Sequence, residues 1–296
     1  MPWATRIATI LTASILATPS FAADRDWSAV GSALGKEGAP QAGGVYRVSL
    51  PRTDLHVMLD GVTLKPGFAL GGWLAFEPTG DQTMVMGDLV LTHDEVNPVM
   101  KKLEDVGIQV TALHNHLLRA EPPTMYMHVM GHGDPVKLAQ ALHVALSLSK
   151  TPLGGGAAQP QQPPAMDLDT AAIDKILGAQ GKNNGGILQY GIPRGEKIEE
   201  SGMPVPPSLG SAIAINFQPT GGGKAAITGD FVLTAKEVNP VAAALRENGI
   251  EVTAIHNHML DDQPRLFFMH FWANDDAQKL AKGLRAALDK TNVAKS

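Results

Sequence analysis

The chain has 296 residues, of which 44% are hydrophobic, a formal net charge of −5 and no cysteine. This length and composition are enough for about two globular domains and exclude a disordered or collagen-like chain. A mildly acidic chain without basic clusters is a poor nucleic-acid binder. Without cysteine there is no disulfide framework, no thiolate metal site and no cysteine for a lipid anchor.

Residues 1–22 have the pattern of a secretory signal peptide. Arg6 supplies the positive charge, Ile7 to Ala17 form an apolar core too short to span a bilayer, and Ser20-Phe21-Ala22 is a small-x-small cleavage site. We therefore expect a periplasmic or secreted protein, cleaved near Ala22, with no membrane span. Removing this segment takes away Arg6 and changes the net charge from −5 to −6.

The rest of the chain is an internal repeat. Residues 87–116 match residues 229–258 at 19 of 30 positions, at an offset of 142. A stretch rich in Gly, Pro and Gln separates the two copies, without any apolar periodicity. The sequence therefore predicts repeat domain 1 at residues 24–150, a linker at 151–166 and repeat domain 2 at 167–296.

Each copy alternates between helical and strand periodicity in the same order. In copy one the predicted elements are a helix (Trp27 to Leu34), strands (Val45 to Leu50, Leu70 to Phe76, Thr83 to Leu91), a helix that Asn97 and Pro98 begin and Gly107 ends, strands (Ile108 to Leu118, Thr124 to Met130), and a helix from Asp134-Pro135. This order predicts an α+β fold: two tandem homologous repeats, each a largely antiparallel sheet flanked by helices.

Three histidines recur at the same spacing in both copies. The segment Thr-Ala-hydrophobic-His-Asn-His contains the first two, and the third follows twelve residues later. They are His114, His116 and His128 in copy one, and His256, His258 and His270 in copy two. On a strand the first two would share one face, because successive side chains alternate.

A hairpin would bring the third histidine to the other two. If Ile108 to Leu118 pairs with Thr124 to Met130 across a turn near Arg119 to Pro123, His114 lies opposite His128. Three imidazoles on one face predict a metal site in each repeat, and a donor set without sulfur suits zinc or copper. The alternative is a set of structural histidines, each held by hydrogen bonds.

Other polar residues shared by the copies have simpler roles. Glu95 and Glu237 stand at capping-box spacing from Thr92 and Thr234, which favours a helix start over catalysis. Asp88 and Asp230 are candidates for a fourth ligand or for orienting an imidazole. Asn115 and Asn257 are expected to form turn or cross-strand hydrogen bonds.

Glu121 is a separate candidate, because His114-x-His116 followed by Glu121 is similar to the first metal-binding motif of cupins. Copy two has Gln263 at that place, and an upstream helix does not suit a β-barrel, so a cupin fold is the minority alternative.

The whole mature chain resembles the LppY/LpqO-type exported proteins, which are built from a domain of unknown function. The resemblance rests on Gly-Asp-hydrophobic-Val-Leu-Thr, Glu-Val-Asn-Pro-Val and Thr-Ala-hydrophobic-His-Asn-His, which begin at Gly87, Glu95 and Thr111 and recur in copy two. The namesakes of the family are lipoproteins, whereas this chain lacks the anchoring cysteine, so the resemblance implies a soluble exported form. It implies no particular activity.

Three functions are consistent with the sequence. The first is an exported metal-binding protein with the six recurring histidines as ligands. The second is a metal-dependent hydrolase of envelope or periplasmic material, in which Glu121 or Asp88 acts as the base. The third is a non-metal module that binds carbohydrate or peptide through Tyr126, Phe268 and Trp272.

Overall fold

The protein is described by a computed structural model, which covers residues 26–154 and 164–294. The predicted signal peptide and the centre of the predicted linker lie outside the described residues. The two repeats form the predicted α+β architecture, with one six-stranded antiparallel sheet in each. The fold class is therefore confirmed, and the cupin alternative is wrong.

The first repeat contains four α-helices and eight strands within the described residues. They are α1 (Ser28–Leu34), β1 (Ala39–Pro40), β2 (Tyr46–Pro51), β3 (Met58–Leu59), β4 (Val62–Thr63), α2 (Pro66–Ala69), β5 (Gly71–Thr79), β6 (Gln82–Thr92), α3 (His93–Asp105), β7 (Gln109–His114), β8 (Thr124–Gly133) and α4 (Pro135–Leu146). Its large sheet has the order β1-β2-β5-β6-β8-β7, so β7 is an edge strand.

The second repeat follows the same course. Its elements are α5 (Thr170–Leu177), β9 (Lys182–Asn184), β10 (Ile187–Ile192), β11 (Glu199–Glu200), β12 (Met203–Pro204), β13 (Ile213–Gly221), β14 (Lys224–Thr234), α6 (Ala235–Glu247), β15 (Glu251–His256), β16 (Asp262–Gln263), β17 (Leu266–Asp276) and α7 (Ala277–Leu288). The large sheet has the order β15-β17-β14-β13-β10-β9, so β15 is the matching edge strand. None of the described helices is both long enough and apolar enough to cross a membrane.

Helix α3 begins earlier than predicted. The prediction that Asn97 caps this helix is wrong, because the N-cap is Thr92 and Pro98 lies inside the helix. Thr92 and Glu95 form a capping box, as their spacing indicated. Thr234 and Glu237 form the same capping box on α6. The carboxylates of Glu95 and Glu237 are therefore used for structure.

One face of the first sheet packs on its own helices. The alternation along β8 places Met127 and Val129 in this core, together with Leu103 of α3 and Leu142 of α4. The residue between them, His128, must therefore point to the opposite face. The same alternation places Met269 and Phe271 of β17 in the core of the second repeat and turns His270 away from the helices.

A segment of the other repeat covers the face of each sheet that points away from the helices. Residues 52–70, the first arm, contain β3, β4 and α2, and Phe68 packs on Ile187, Ala226 and Trp272 of the second sheet. Residues 194–211, the second arm, contain β11 and β12 and pack Val205 and Leu209 on the first sheet. The sequence pattern did not predict these arms, whose strands have only two residues each.

Hydrogen bonds fix the first arm against the second repeat. Gln218 donates to the carbonyl of Thr63 at 2.8 Å and accepts from the backbone N–H of Lys65 at 2.9 Å. The indole of Trp272 donates to Asp60 at 3.0 Å. The two repeats are thus held by reciprocal coverage of their sheets.

Arg52 forms a buried ion pair that anchors the start of α3 to the first arm. Its side chain has no exposed surface and lies 2.8 Å from Glu95 and 2.8 Å from Asp54. It also donates to the carbonyl of Val90 at 2.7 Å. Arg194 repeats this arrangement in the second repeat with Glu196 and Glu237.

We predict that Glu95→Ala destabilises the protein by about 3–5 kcal/mol, because the buried Arg52 would keep only the partly exposed Asp54 as an ionic partner and α3 would lose its capping box. Urea unfolding monitored by circular dichroism measures the change. The control is Lys101→Ala, which breaks an exposed pair with Asp105 and should cost at most about 0.5 kcal/mol. Equal effects of the two substitutions would contradict the structural role of the Arg52–Glu95 pair.

Candidate metal centre

The three histidines of each repeat lie at the edge of its large sheet. In the first repeat His114 is the last residue of β7, His116 lies in the following loop and His128 is in β8. His256, His258 and His270 have the same positions relative to β15 and β17. The prediction that one strand carries both members of each His-Asn-His is therefore wrong.

The predicted register of the hairpin is also wrong. His114 lies opposite Tyr126, and His128 lies opposite Ala112, with a bulge between Val110 and Ala112. Strand β7 ends at His114, and the segment after it hydrogen-bonds to the other repeat through the amide of Asn115 and the carbonyl of His116. The offset from the predicted pairing is two residues, so His114 and His128 still share one face.

The six imidazoles form one cluster between the repeats instead of one site in each repeat. The first histidines of the two repeats stack on each other, with 3.4 Å between the ring centroids of His114 and His256. The centroids of His116 and His270 are 3.7 Å apart, and those of His128 and His258 are 3.8 Å apart. Each third histidine therefore lies beside the second histidine of the other repeat, and its centroid is also 5.1 Å (His128) or 4.8 Å (His270) from that of the first histidine of its own repeat.

Reciprocal hydrogen bonds between the two His-Asn-His segments hold this cluster together. Thr111 donates its hydroxyl to the carbonyl of His258, and Thr253 donates to the carbonyl of His116, both at 2.5 Å. The amide of Asn257 donates to the carbonyl of Thr111 at 2.9 Å. The shared threonines and asparagines thus bind the other repeat, a role that the sequence did not predict. The asparagine amides also make the predicted turn hydrogen bonds, to the carbonyls of Leu117 and Met259.

The amide of Asn115 makes the equivalent hydrogen bond in the opposite direction between the repeats. It donates to the carbonyl of Thr253 at 3.3 Å. We name these four bonds, from Thr111, Asn115, Thr253 and Asn257, the inter-repeat clasp. Because each repeat contributes one threonine and one asparagine, the clasp is symmetric about an axis between His114 and His256.

The two ring nitrogens, Nδ1 and Nε2, differ in their hydrogen-bond partners. The Nδ1 atoms of His114, His256 and His270 lie 3.1, 3.0 and 2.7 Å from backbone carbonyl oxygens. A carbonyl only accepts, so these Nδ1 atoms carry the proton and their Nε2 atoms have a free lone pair. The Nε2 atoms of all six histidines are buried and have no hydrogen-bond partner. In these three histidines the tautomer leaves Nε2 able to bind a metal ion, with the other ring nitrogen held by a carbonyl.

Burial keeps the imidazoles neutral. It lowers the pKa of His114 to about 3, and that of His256 and His270 to about 4. Burial and the neighbouring imidazoles lower the pKa values of His116, His128 and His258 well below the usual value. A neutral imidazole is the form that binds a metal ion.

Two aspartates complete the cluster. Asp88 lies opposite His128 in the first sheet, and Asp230 lies opposite His270 in the second. The carboxylate of Asp88 is 3.6 Å from Nε2 of His116, and that of Asp230 is 3.0 Å from Nε2 of His258, without hydrogen-bond alignment. One oxygen of each carboxylate, Oδ1, is buried without a partner.

The charges around the two aspartates differ. Burial raises the pKa of Asp88 well above its usual value, and the charge of Asp230 raises it further, whereas Arg47 lowers it. Burial also raises the pKa of Asp230, against the effect of His270 and His256. Arg47 has no counterpart in the second repeat, where Gln189 takes the matching place.

Aromatic side chains support the outer face of two histidines. His116 stacks on Tyr126 with 3.3 Å between centroids, and His258 stacks on Phe268 at 3.4 Å. Tyr126, Phe268 and Trp272 are at most 3% exposed. These three residues therefore position other side chains and offer no exposed surface for a carbohydrate or peptide.

The structure separates Glu121 from the cluster. Its side chain is exposed, and its backbone pairs with Met58 of the first arm. Within the described residues, the groups of side chains close enough to share an ion contain histidines of both repeats and do not include Glu121. Asp88 is the predicted catalytic candidate that lies against the histidines.

Both repeats match one protein family. The family is described as Domain of Unknown Function (DUF1259), and the match covers residues 28–148 and 171–290. The chain belongs to this family. Each half of the histidine cluster therefore comes from one DUF1259 domain, and the cluster needs the pair of domains.

Other comparisons add no functional information about this DUF1259 protein. No curated protein matches it. Among solved structures, it is similar to a trimeric bacterial microcompartment shell protein, PduB, at 12% identity and a TM-score of 0.20, over 86% of this chain and 89% of that chain. A TM-score this low indicates nothing about function.

We predict that the metal-free protein loses stability as the pH falls from about 6.5 to about 4. In this range unfolded histidines bind protons that the buried imidazoles do not, so acid favours the unfolded state. Asp88 and Asp230 act in the opposite direction, because their pKa values are raised, but six histidines outnumber two aspartates.

Urea midpoints of chelator-treated protein across this pH range measure the effect. His114→Gln should flatten the pH dependence, whereas His93→Gln, at an exposed histidine, should leave it unchanged. Stability that stays constant or rises on acidification would show that the cluster is not held neutral.

Proposed function

We propose that this protein is an exported metal-binding protein whose site is the histidine cluster between its two DUF1259 domains. The observation that carries the proposal is the set of six buried Nε2 atoms, none with a hydrogen-bond partner, beside two carboxylates. Leaving a buried polar atom unpaired costs about 1–3 kcal/mol, and bound metal would give these nitrogen atoms a partner. A purely structural role gives no reason for them to converge.

The donor set favours zinc or copper. Imidazole nitrogen suits Zn²⁺ and Cu²⁺, and carboxylate oxygen is a common further ligand of Zn²⁺. Met127 and Met269, beside the third histidines, lie in the helix-side cores and add no thioether to this donor set. When bound, the ion would act as a Lewis acid within a nitrogen-rich environment.

Hydrolysis receives less support than binding. Glu121, the predicted base, is exposed and away from the cluster. Asp88 lies among the imidazoles, where it is better placed to neutralise or bind an ion than to take a proton from water. Because no specific observation favours turnover, metal binding is the function that we propose.

Export is part of the proposal. The support is the signal-peptide pattern of residues 1–22, which includes Arg6, an apolar core and a cleavage site ending at Ala22. Outside the cytoplasm a site of neutral imidazoles binds ions without depending on reduced thiols. The protein would bind its metal in the periplasm or outside the cell.

We predict that the chelator-stripped mature protein binds at least one Zn²⁺ or Cu²⁺ ion per chain. Equilibrium dialysis followed by elemental analysis measures the bound metal. Metal at 100 times the dissociation constant should stabilise the fold by about 2.7 kcal/mol, which a shift of the urea midpoint reports.

Matched histidine variants test whether this metal is held by the cluster. His114→Ala combined with His256→Ala should abolish tight binding, because both are central to the cluster. His56→Ala combined with His93→Ala removes two exposed histidines and should change nothing. Metal at background in the wild type, or equal binding by both double variants, would refute the proposal.

We also predict that the full-length precursor is exported and processed after Ala22. The intact mass of the protein from the periplasmic or extracellular fraction should correspond to a chain that begins at Ala23. Deletion of residues 2–22 should leave the protein in the cytoplasm. An unprocessed wild-type chain in the cytoplasmic fraction would contradict export.

A further inference from the structure

We infer that the cluster holds two metal ions, each bound by the His-x-His pair of one repeat and the third histidine of the other. This inference rests on the proposed metal-binding function. Trio A consists of His114, His116 and His270, and trio B consists of His256, His258 and His128. The two positions are related by the axis between His114 and His256.

Distances between ligand atoms define trio B. The ligand atoms of His128, His256 and His258 all lie within 4.8 Å of one another. Exchanging each residue for its counterpart in the other repeat converts this set into His270, His114 and His116. Trio A is therefore assigned by the symmetry of the repeats, since its own ligand atoms do not form a set within 4.8 Å of one another. The centroid distance between His116 and His270, 3.7 Å, matches that between His258 and His128, 3.8 Å.

A second set of close ligand atoms joins the two trios. His114, His256 and His270 also lie within 4.8 Å of one another, because His256 stacks on His114. His256 is therefore near both positions. The division into trios A and B uses each histidine once and agrees with the symmetry of the chain.

A single ion bound by all six histidines agrees less well with these distances. Six nitrogens at about 2.1 Å from one ion would all lie within about 4.2 Å of one another. Among the described residues, the sets of ligand atoms within 4.8 Å of one another contain only three histidines each. These distances group the imidazoles in threes, with trio B as one such group, and they do not bring all six to one point.

The carboxylates supply an independent argument for two ions. The Oδ2 atom of Asp230 is 3.0 Å from Nε2 of His258 in trio B, and its Oδ1 atom is 4.0 Å from Nε2 of His270 in trio A. The two oxygens of one carboxylate therefore face different trios, as in a carboxylate that bridges two ions. Asp88 approaches His116 of trio A at 3.6 Å, which gives that position an oxygen ligand of its own.

The chemical class of the ions follows from these ligands. Each position offers three neutral imidazoles and at least one carboxylate oxygen: trio A is near one oxygen of Asp88 and one of Asp230, and trio B is near the other oxygen of Asp230. Such ligands suit a late first-row divalent cation such as Zn²⁺ or Cu²⁺. Neighbouring ions in two-metal sites lie about 3.5–4 Å apart. Because each trio takes ligands from both repeats, each ion would join the two repeats.

Two matched double variants of the mature chain test the trios. His116→Ala with His270→Ala removes two ligands of trio A and none of trio B. His116→Ala with His128→Ala removes one ligand from each trio, although both residues belong to the first repeat. Each variant lacks two imidazoles, so the two should be similar in general stability, and circular dichroism verifies that both fold.

The readouts are the number of Zn²⁺ ions bound at equilibrium and the electron paramagnetic resonance signal after loading with Cu²⁺. We expect two ions in the wild type, close to one in the trio A variant, and well below one in the mixed variant at the same free metal concentration. Paired Cu²⁺ ions should couple and weaken the wild-type signal, whereas the trio A variant should give the full signal of an isolated ion.

Each other outcome has a distinct meaning. One ion in the wild type would overturn the two-ion inference and leave the proposed function intact, whereas no bound ion would end both. Retention of one ion by the mixed variant, together with its loss from the trio A variant, would show that each repeat binds its own ion and would overturn the trans arrangement.

Discussion

The inter-repeat clasp is the contact on which the histidine cluster depends. Thr111 and Thr253 bond to the backbone of the opposite His-Asn-His segment, and Asn115 and Asn257 return the contact. These bonds satisfy backbone carbonyls at the ends of two edge strands, which would otherwise need water or another strand. Because the carbonyls belong to the histidine segments themselves, any movement of one repeat against the other would move the rings.

Much of the fold could be predicted from the sequence, because its signals are local. The repeat, the alternation of strand and helix patterns, and the capping boxes at Thr92 and Thr234 all depend on residues close in the chain. The same signals placed His114 and His128 on one face, and a two-residue error of register did not change that face. The two-residue period of a strand predicts which face a side chain is on, but it does not predict which residue lies opposite it.

The arrangement of the site could not be predicted, because it depends on contacts between distant residues. Periodicity indicates that His128 points away from its own helices, but it does not say what covers that face. The arms that cover the sheets have strands of only two residues, which leave no periodic signal. The recurrence of Thr111 and Asn115 as Thr253 and Asn257 was the available clue, since neither residue type is needed for a strand.

The exchange of arms has an implication for the origin of the tandem chain. Two copies related by a twofold axis, each covering the sheet of the other, have the geometry of an isologous homodimer. Joining the copies in one polypeptide removes the requirement that the halves be identical. Arg47 and Gln189 now differ, as do Glu77 and Gln218, and Gln218 uses its amide to hold the first arm. Fusion of the two subunits would therefore allow the two halves of a symmetric interface to change independently.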